Sequence, residues 1–343
     1  MKSLPKVLHI VDDTTAGGVM RVLDFLRSDH ELGQTAQHEV TEVTRGKIIG
    51  NLGPADVIVS HLAVSWSSLP SLIALRIRFA RTPLVHVEHS YTEEFVARNV
   101  THRKRFKTLL KTAYSLFNRV VCVSNGQADW MVSNRLVHPD TLSTIQSCVE
   151  LSAFRDLPAP KGPARIFAAI GRLDEQKGFD TLIDAFRQTT DPDIQLHIIG
   201  EGAQEDALRV LAADDPRISF KGFQHNSAAA FTAVDVVVMP SRWEAYGLVA
   251  IEALAAGRRL ICNDIDGLKD HEKHGATLFD TTNVAALSDL IAMEAGGEGQ
   301  GRPVSVARAT KQLERRFRDS WRYMLTSITA QCYTDDPIAL LEV

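Results

Sequence analysis

Short apolar runs rich in Val and Ile alternate along this chain with longer stretches whose apolar positions recur at helical spacing. Val7–Val11, Val57–Ser60, Leu84–Val87 and Val120–Val123 read as buried strands, since continuous apolar runs of this length suit a sheet covered on both faces. Gly18–Arg27, Ser67–Phe79, Lys104–Phe117 and Asn125–Arg135 read as the helices between them. After Ala164 the pattern restarts, with strands at Ile166–Ile170, Gln195–Ile199, Val236–Met239 and Leu260–Cys262. Its helices fall at Phe179–Gln188, Gln204–Ala213, Ser227–Ala233, Tyr246–Ala256 and Ala285–Glu294. Such alternation predicts an α/β protein of two doubly wound parallel sheets with helices on both faces.

The segment Leu157-Pro-Ala-Pro-Lys-Gly-Pro163 denies both ladder and helix and reads as the linker between the halves. The expected organisation is therefore a domain over 1–152, a second over 164–316, and a last helical stretch, 317–343, packing back on the first. Two doubly wound domains joined in this way predict ligand binding in a cleft at the carboxyl ends of their strands.

A length of 343 residues fits two domains, each able to bury its own core. With a net charge of −4 the chain lacks the basic balance of a nucleic-acid-binding protein, so no nucleic-acid partner is expected. Cys122, Cys148, Cys262 and Cys332 stand far apart, which suits a reducing compartment better than a disulfide framework or zinc site. The apolar run at Val7–Val11 stops at Asp12-Asp13, short of a signal peptide's apolar region. Ala228–Met239 is too short to span a bilayer and contains Asp235, so the expected location is cytoplasmic.

The charge is uneven. Between Arg76 and Arg119 ten Lys/Arg face only Glu88, Glu93 and Glu94. Within this block Arg103, Lys104, Arg105 and Lys107 stand beside Phe106, Leu109, Leu110 and Phe117, the composition of an interfacial helix. The expectation is docking to an anionic membrane surface, at the inner membrane, or to a pyrophosphate-linked acceptor; a solvated helix face is the alternative.

Two segments carry candidate chemistry. Pro240-Ser-Arg-Trp-Glu-Ala-Tyr-Gly-Leu-Val-Ala-Ile-Glu-Ala-Leu-Ala-Ala-Gly257 follows a strand and opens a helix near Tyr246–Leu248. A helix N-terminus suits an anion, and Glu244 and Glu252, eight positions apart, could accept hydrogen bonds from hydroxyls on either side of it. Glu252 lies in an apolar stripe, so it reads as a buried carboxylate in need of a partner. Ile170-Gly-Arg-Leu-Asp-Glu-Gln-Lys-Gly178 is again strand, glycine turn and helix. There Arg172 could fork to phosphate oxygens and Lys177 add a compact charge, unless the pair is simply a basic surface loop.

These segments, with Ile198-Ile-Gly-Glu-Gly202, Phe220-Lys-Gly222 and Asp235-Val-Val-Val-Met-Pro-Ser241, resemble glycosyltransferase family 4 in content and order over about 100 residues. The resemblance implies the GT-B fold, two Rossmann-like domains facing a central cleft, and retaining transfer of a hexose from a nucleotide sugar through an oxocarbenium-like state. It implies that Arg172 and Lys177 bind the donor diphosphate, Glu252 the ribose and Glu244 the transferred sugar. The nucleobase is expected near the backbone around Phe223, and the distal phosphate or sugar near Tyr246, Gly247 and Leu248. More loosely, Thr15-Ala-Gly-Gly18 is similar to the family's glycine loop over the donor phosphates, through Gly17 and Gly18. His89 matches the family's histidine facing the reacting sugar; a histidine satisfied by the fold is the alternative. His61 is a weaker candidate, on the acceptor side.

The acceptor expected from the family is a glycan or polyprenyl-linked glycolipid in exopolysaccharide, capsule or lipopolysaccharide assembly. Ser147-Cys-Val-Glu150 and Gly257-Arg-Arg-Leu260 depart from the family's usual Asn-Gly-Val-Asp and Gly-x-Pro-Val, which leaves the donor subgroup open. Asp264-Ile-Asp266 resembles a metal-binding D-x-D, but turn-forming Asp before Gly267 explains it as well. No cluster has metal-ligand spacing, so neither metal nor bound cofactor is expected. A nucleotide-sugar epimerase and a catalytically silent sugar-nucleotide-binding scaffold are the rival readings.

Overall fold

The computed structural model describes residues 4–15, 17–50, 52–297 and 306–334, with side chains over 310–330 in the last stretch. Contacts divide the chain into two units, one of residues up to Val149 together with those from Glu314 onward, the other Glu150–Leu313.

The first unit holds a six-stranded parallel sheet of β1 (Lys6–Val11), β2 (Gln37–Glu42), β3 (Val57–Ser60), β4 (Leu84–Glu88), β5 (Arg119–Cys122) and β6 (Leu142–Thr144), in the order β2-β1-β3-β4-β5-β6. The second holds β7 (Ile166–Ile170), β8 (Gln195–Ile199), β9 (Ile218–Phe220), β10 (Val236–Met239), β11 (Arg259–Asn263) and β12 (Thr277–Phe279). Its order, β12-β11-β10-β7-β8-β9, reverses direction between β7 and β10; the first sheet reverses between β1 and β3. The strands predicted from apolar runs form the centres of both sheets, and each unit has its own apolar core. Both sheets are thus of the two-domain GT-B kind that the motifs imply.

The carboxyl-terminal helix is longer than its apolar pattern, Val306–Thr334. Leu313, Phe317, Trp321, Met324, Leu325 and Ile328 are buried along one face, each large side chain contributing about 1.5–3 kcal/mol. Phe317 stacks on Phe25 at 5.6 Å, and Arg318 Nη2 lies 2.7 Å from Asp29 Oδ2, within the first unit. The proline segment after Leu157 belongs to the second unit, where the buried Arg258 donates to the Pro158 carbonyl at 2.7 Å. Among the described residues no helix is long and apolar enough to cross a membrane.

Candidate active site

In the second unit the loops after β7, β8 and β10 meet, and glycines make the approach possible. A Cβ on Gly178 would lie 2.3 Å from the Pro240 carbonyl oxygen, and Gly178 has φ +64°. Cβ atoms on Gly200 and Gly202 would fall 1.9 Å from the Gly171 oxygen and 2.4 Å from the Leu173 oxygen. The glycines of the Ile198–Gly202 motif are therefore fixed by backbone packing. Hydrogen bonds zip the same loops together. Arg242 N donates to the Gln176 carbonyl at 2.7 Å, Gln176 Nε2 to Trp243 O at 3.0 Å, and Arg242 Nη1 to Glu175 O at 2.8 Å.

This zip brings Lys177 Nζ to 2.5 Å from Glu244 Oε2, with only 16% and 12% of the two side chains exposed. Glu244 is held from behind: its N–H donates to Asp266 Oδ2 at 3.3 Å, and its carbonyl accepts from Gly267 N at 3.1 Å. Asp266 of the D-x-D look-alike therefore braces a loop, at φ +39°. Among the described residues no group of three or more His, Cys, Asp or Glu could hold a metal ion.

Gly247, at φ +87°, caps the helix Leu248–Ala255, and a Cβ there would press on Leu268 at 2.9 Å and Met239 at 3.0 Å. The preceding carbonyl, of Tyr246, accepts from His271 Nε2 at 2.8 Å. Burial lowers the His271 pKa and so favours the neutral ring. Glu252, inside this helix, is 2% exposed as its apolar stripe predicts. Arg172, by contrast, is 74% exposed, with Asp174 at 3.3 Å and Gln176 at 3.3 Å from its guanidinium. Phe223 is exposed after the left-handed Gly222, its ring edge-on to His225.

The zip gives a stability prediction. Gly178→Ala forces a left-handed alanine and a clash with Pro240, which should cost on the order of 3 kcal/mol. Urea denaturation of the variant checks this; an unchanged midpoint would show that the loops do not need the glycine.

In the first unit Gly17 and Gly18 are exposed where β1 gives way to the helix Gly18–Ser28. Gly17 has φ −159°, and a Cβ would meet nothing nearer than the Thr15 oxygen at 3.7 Å, so internal packing does not demand glycine here. His89 follows β4, and its Nε2 lies 2.8 Å from Nδ1 of His61, at the end of β3. Glu88 holds the adjoining turn. It accepts from Ser90 N at 2.8 Å, Tyr91 N at 3.0 Å and the Tyr114 hydroxyl at 2.7 Å. Burial alone would raise the Glu88 carboxyl, but bonds from His86, Ser90 N and Tyr114 outweigh it and hold it below the usual range. His61 in turn reaches His9 and, through it, His38, neither of which the sequence singled out.

The basic helix Arg103–Tyr114 corrects one part of the interfacial-helix expectation. Leu109, Leu110 and Phe117 are buried and Phe106 packs against the same core, so none of these apolar residues is offered to a lipid. Arg103, Lys104 and Arg105 are exposed, Arg105 over the half-exposed Trp66 at 5.1 Å, while Lys107 bonds Asn134.

Comparison with known proteins gives two adjoining family matches. Residues 43–153 match Glycosyltransferase Family 4, and residues 153–293 match Glycosyl transferases group 1. The phosphatidyl-myo-inositol mannosyltransferase of Mycolicibacterium smegmatis is 26% identical over 298 residues, 82% of this chain and 73% of that protein. The lipopolysaccharide core biosynthesis glycosyltransferase LpsE of Rhizobium meliloti is 36% identical over 115 residues, 33% of this chain and 32% of its own length. A soluble starch synthase of rice is 36% identical over 119 residues, so the match spans 33% of this chain and only 16% of the rice enzyme. Among solved structures, Anabaena HepE in complex with UDP aligns with a TM-score of 0.71 at 17% identity, covering 95% of this chain and all of that one, a likeness of fold. The two adjoining family matches, together with the paired six-stranded parallel sheets, place the chain in the GT-B superfamily of group 1 and family 4 glycosyltransferases.

Proposed function

We propose that this glycosyltransferase is a retaining hexosyltransferase. It takes a sugar from a nucleotide-diphosphate donor to a glycan or polyprenyl-linked glycolipid, in bacterial exopolysaccharide, capsule or lipopolysaccharide assembly. The observation that carries the reading is the Lys177–Glu244 pair, set where the second sheet reverses direction between β7 and β10. Open α/β sheets bind ligands at the carboxyl ends of their strands at such a point. The solved HepE complex with UDP and the naming of LpsE as a lipopolysaccharide core enzyme favour the same donor class and setting.

In this reading Lys177 and the exposed guanidinium of Arg172 neutralise the diphosphate, and the helix beginning at Leu248 adds its positive end. Glu252 takes the ribose hydroxyls and Glu244 the sugar hydroxyls; the base lies along the backbone at Phe223. Gly17 and Gly18 approach the phosphates, and His89 faces the sugar. The bond from the anomeric carbon to the diphosphate oxygen breaks with its electron pair going to the diphosphate. An acceptor hydroxyl then bonds that carbon from the same face, and its proton goes to the departing phosphate oxygen. No residue attacks the sugar, so Glu244 differs from the nucleophile of a retaining glycosidase. The protein supplies no metal or resident cofactor to this step.

The anomeric configuration of the product, read by proton NMR coupling, tests the mechanism. It should match the donor's; inversion would overturn the retaining assignment. For membrane docking, the exposed cations at Arg103, Lys104 and Arg105 together with Lys107 form the contact in this reading. Flotation with anionic liposomes should be lost on neutralising all four, and unchanged flotation would remove the docking proposal.

A further inference from the structure

Four histidines from four neighbouring strands form one hydrogen-bonded row. His38 Nδ1 lies 2.9 Å from His9 Nε2, His9 Nδ1 2.9 Å from His61 Nε2, and His61 Nδ1 2.8 Å from His89 Nε2. The register explains the alignment. His38 stands opposite Val7 on β1; His9 stands opposite Val59, two positions before His61; and Ser60 stands opposite His86, so that His89 lies two positions beyond the level of His61. Each step to the next strand climbs two residues, which keeps all four rings on one face of the sheet. The rings stack at 5.1–5.2 Å between centroids, and Trp321 closes the inner end edge-on to His9 and His38.

The row has a direction. A neutral imidazole has one donor nitrogen and one acceptor nitrogen, and His9 and His61 each use both. Burial lowers all four pKa values, to about 4 for His38 and His89, so the neutral rings prevail at pH 7. Only two arrangements then satisfy the row, with every proton on Nδ1 or every proton on Nε2. His38 Nε2, at the inner end, is buried and has no hydrogen-bond partner among the described residues. A buried N–H without a partner is rarer and costlier than a buried lone pair without one. The arrangement with every proton on Nδ1 is therefore favoured, and it leaves Nδ1–H of His89, at the outer end, without an acceptor among the described residues.

We propose that His38, His9 and His61 are positioning residues that lock His89 as an Nδ1–H donor toward a sugar hydroxyl oxygen. The proposal rests on the reading of His89 as the group facing the sugar. Accepting a hydrogen bond at Nε2 also strengthens the donor at Nδ1, as bonds in a chain polarise one another. A lone histidine beside a sugar could use either nitrogen; the row removes that choice.

Long-range proton–nitrogen NMR of the 15N-labelled full chain at pH 7.5 reads each tautomer, and all four rings should carry the proton on Nδ1. Finding His89 protonated on Nε2 in the unaltered protein overturns the proposal without any variant. In His38→Asp the inner end becomes an acceptor, which draws the His9 proton to Nε2 and reverses the row. There the His89 signal should move toward the Nε2–H form and kcat should fall about 10-fold, with the donor KM within a few-fold. In His38→Asn the amide can still donate to His9 Nε2, and both readouts should stay near those of the unaltered protein. An unchanged tautomer and kcat in a folded His38→Asp variant would also overturn the lock. Full turnover in His89→Ala, with the Nδ1–H tautomer intact in the unaltered protein, would sink only the sugar-facing reading.

Discussion

Lys177→Ala is expected to lower kcat about 10²–10³-fold, the usual loss when one charge-stabilising donor is removed from a transition state. Nucleotide affinity should change much less. The zip between the loops after β7 and β10 sets the position of Lys177. Gly178 lets the first loop press against Pro240, which sets the ammonium 2.5 Å from Glu244 in a place where both side chains are largely shielded from water. A charge so shielded acts more strongly than one at the surface. The diphosphate gains negative charge as the sugar leaves, so Lys177 serves the transition state more than the bound donor. Steady-state kinetics of the variant check this, with thermal unfolding to show that the chain still folds. A proportional rise in KM with kcat unchanged would mean that Lys177 only binds.

Acid should destabilise the first unit, by several kcal/mol between pH 7.5 and pH 5. The folded pKa values of His9, His38, His61 and His89 all lie below the unfolded value near 6.5. Burial is the main cause for each, with Arg27 adding to it at His9. The unfolded chain therefore binds protons that the folded chain refuses. Their contribution is complete above about pH 6.5 and is lost as the pH falls toward about 4, at up to about 1.4 kcal/mol per pH unit for each histidine. The half-buried positions of His38, His61 and His89 make the real slope smaller than four full terms. Glu88 adds a further loss at lower pH, because its depressed carboxyl stabilises the fold only while ionised. Urea titrations at the two pH values measure the difference, and equal midpoints would contradict the buried row.

The strands that the apolar pattern reveals are the central ones, and the four it misses, β2, β6, β9 and β12, are the sheet edges. The reason is physical: an edge strand is paired on one side only and is kept short or polar. β2, Gln37–Glu42, alternates between exposed and half-buried positions, and the other three have only three residues each. In the same way Ser227–Ala233 forms only a short 3-10 turn, Ala228–Phe231, while Glu93–Asn99 folds as a helix behind the Thr92 cap. The segments carrying Lys177, Glu244 and Glu252 are legible because strand, glycine turn and helix follow one another locally. Gln176, Arg242, Asp266 and His271, which brace those loops, carry no such local mark. The histidine row is equally hidden, since residues 9, 38, 61 and 89 become neighbours only through strand register.

In the proposed function the second unit binds a nucleotide-diphosphate sugar through the residues around Lys177, Glu244 and Glu252. Calorimetric titration of the full chain with UDP, GDP, ADP and their sugar conjugates checks this, beside the folded Glu252→Ala variant. Saturable binding of one nucleotide family is expected, weakened about 10-fold or more in the variant once the buried carboxylate no longer holds the ribose. No binding of any nucleotide by the folded chain, or equal binding by Glu252→Ala, would contradict it.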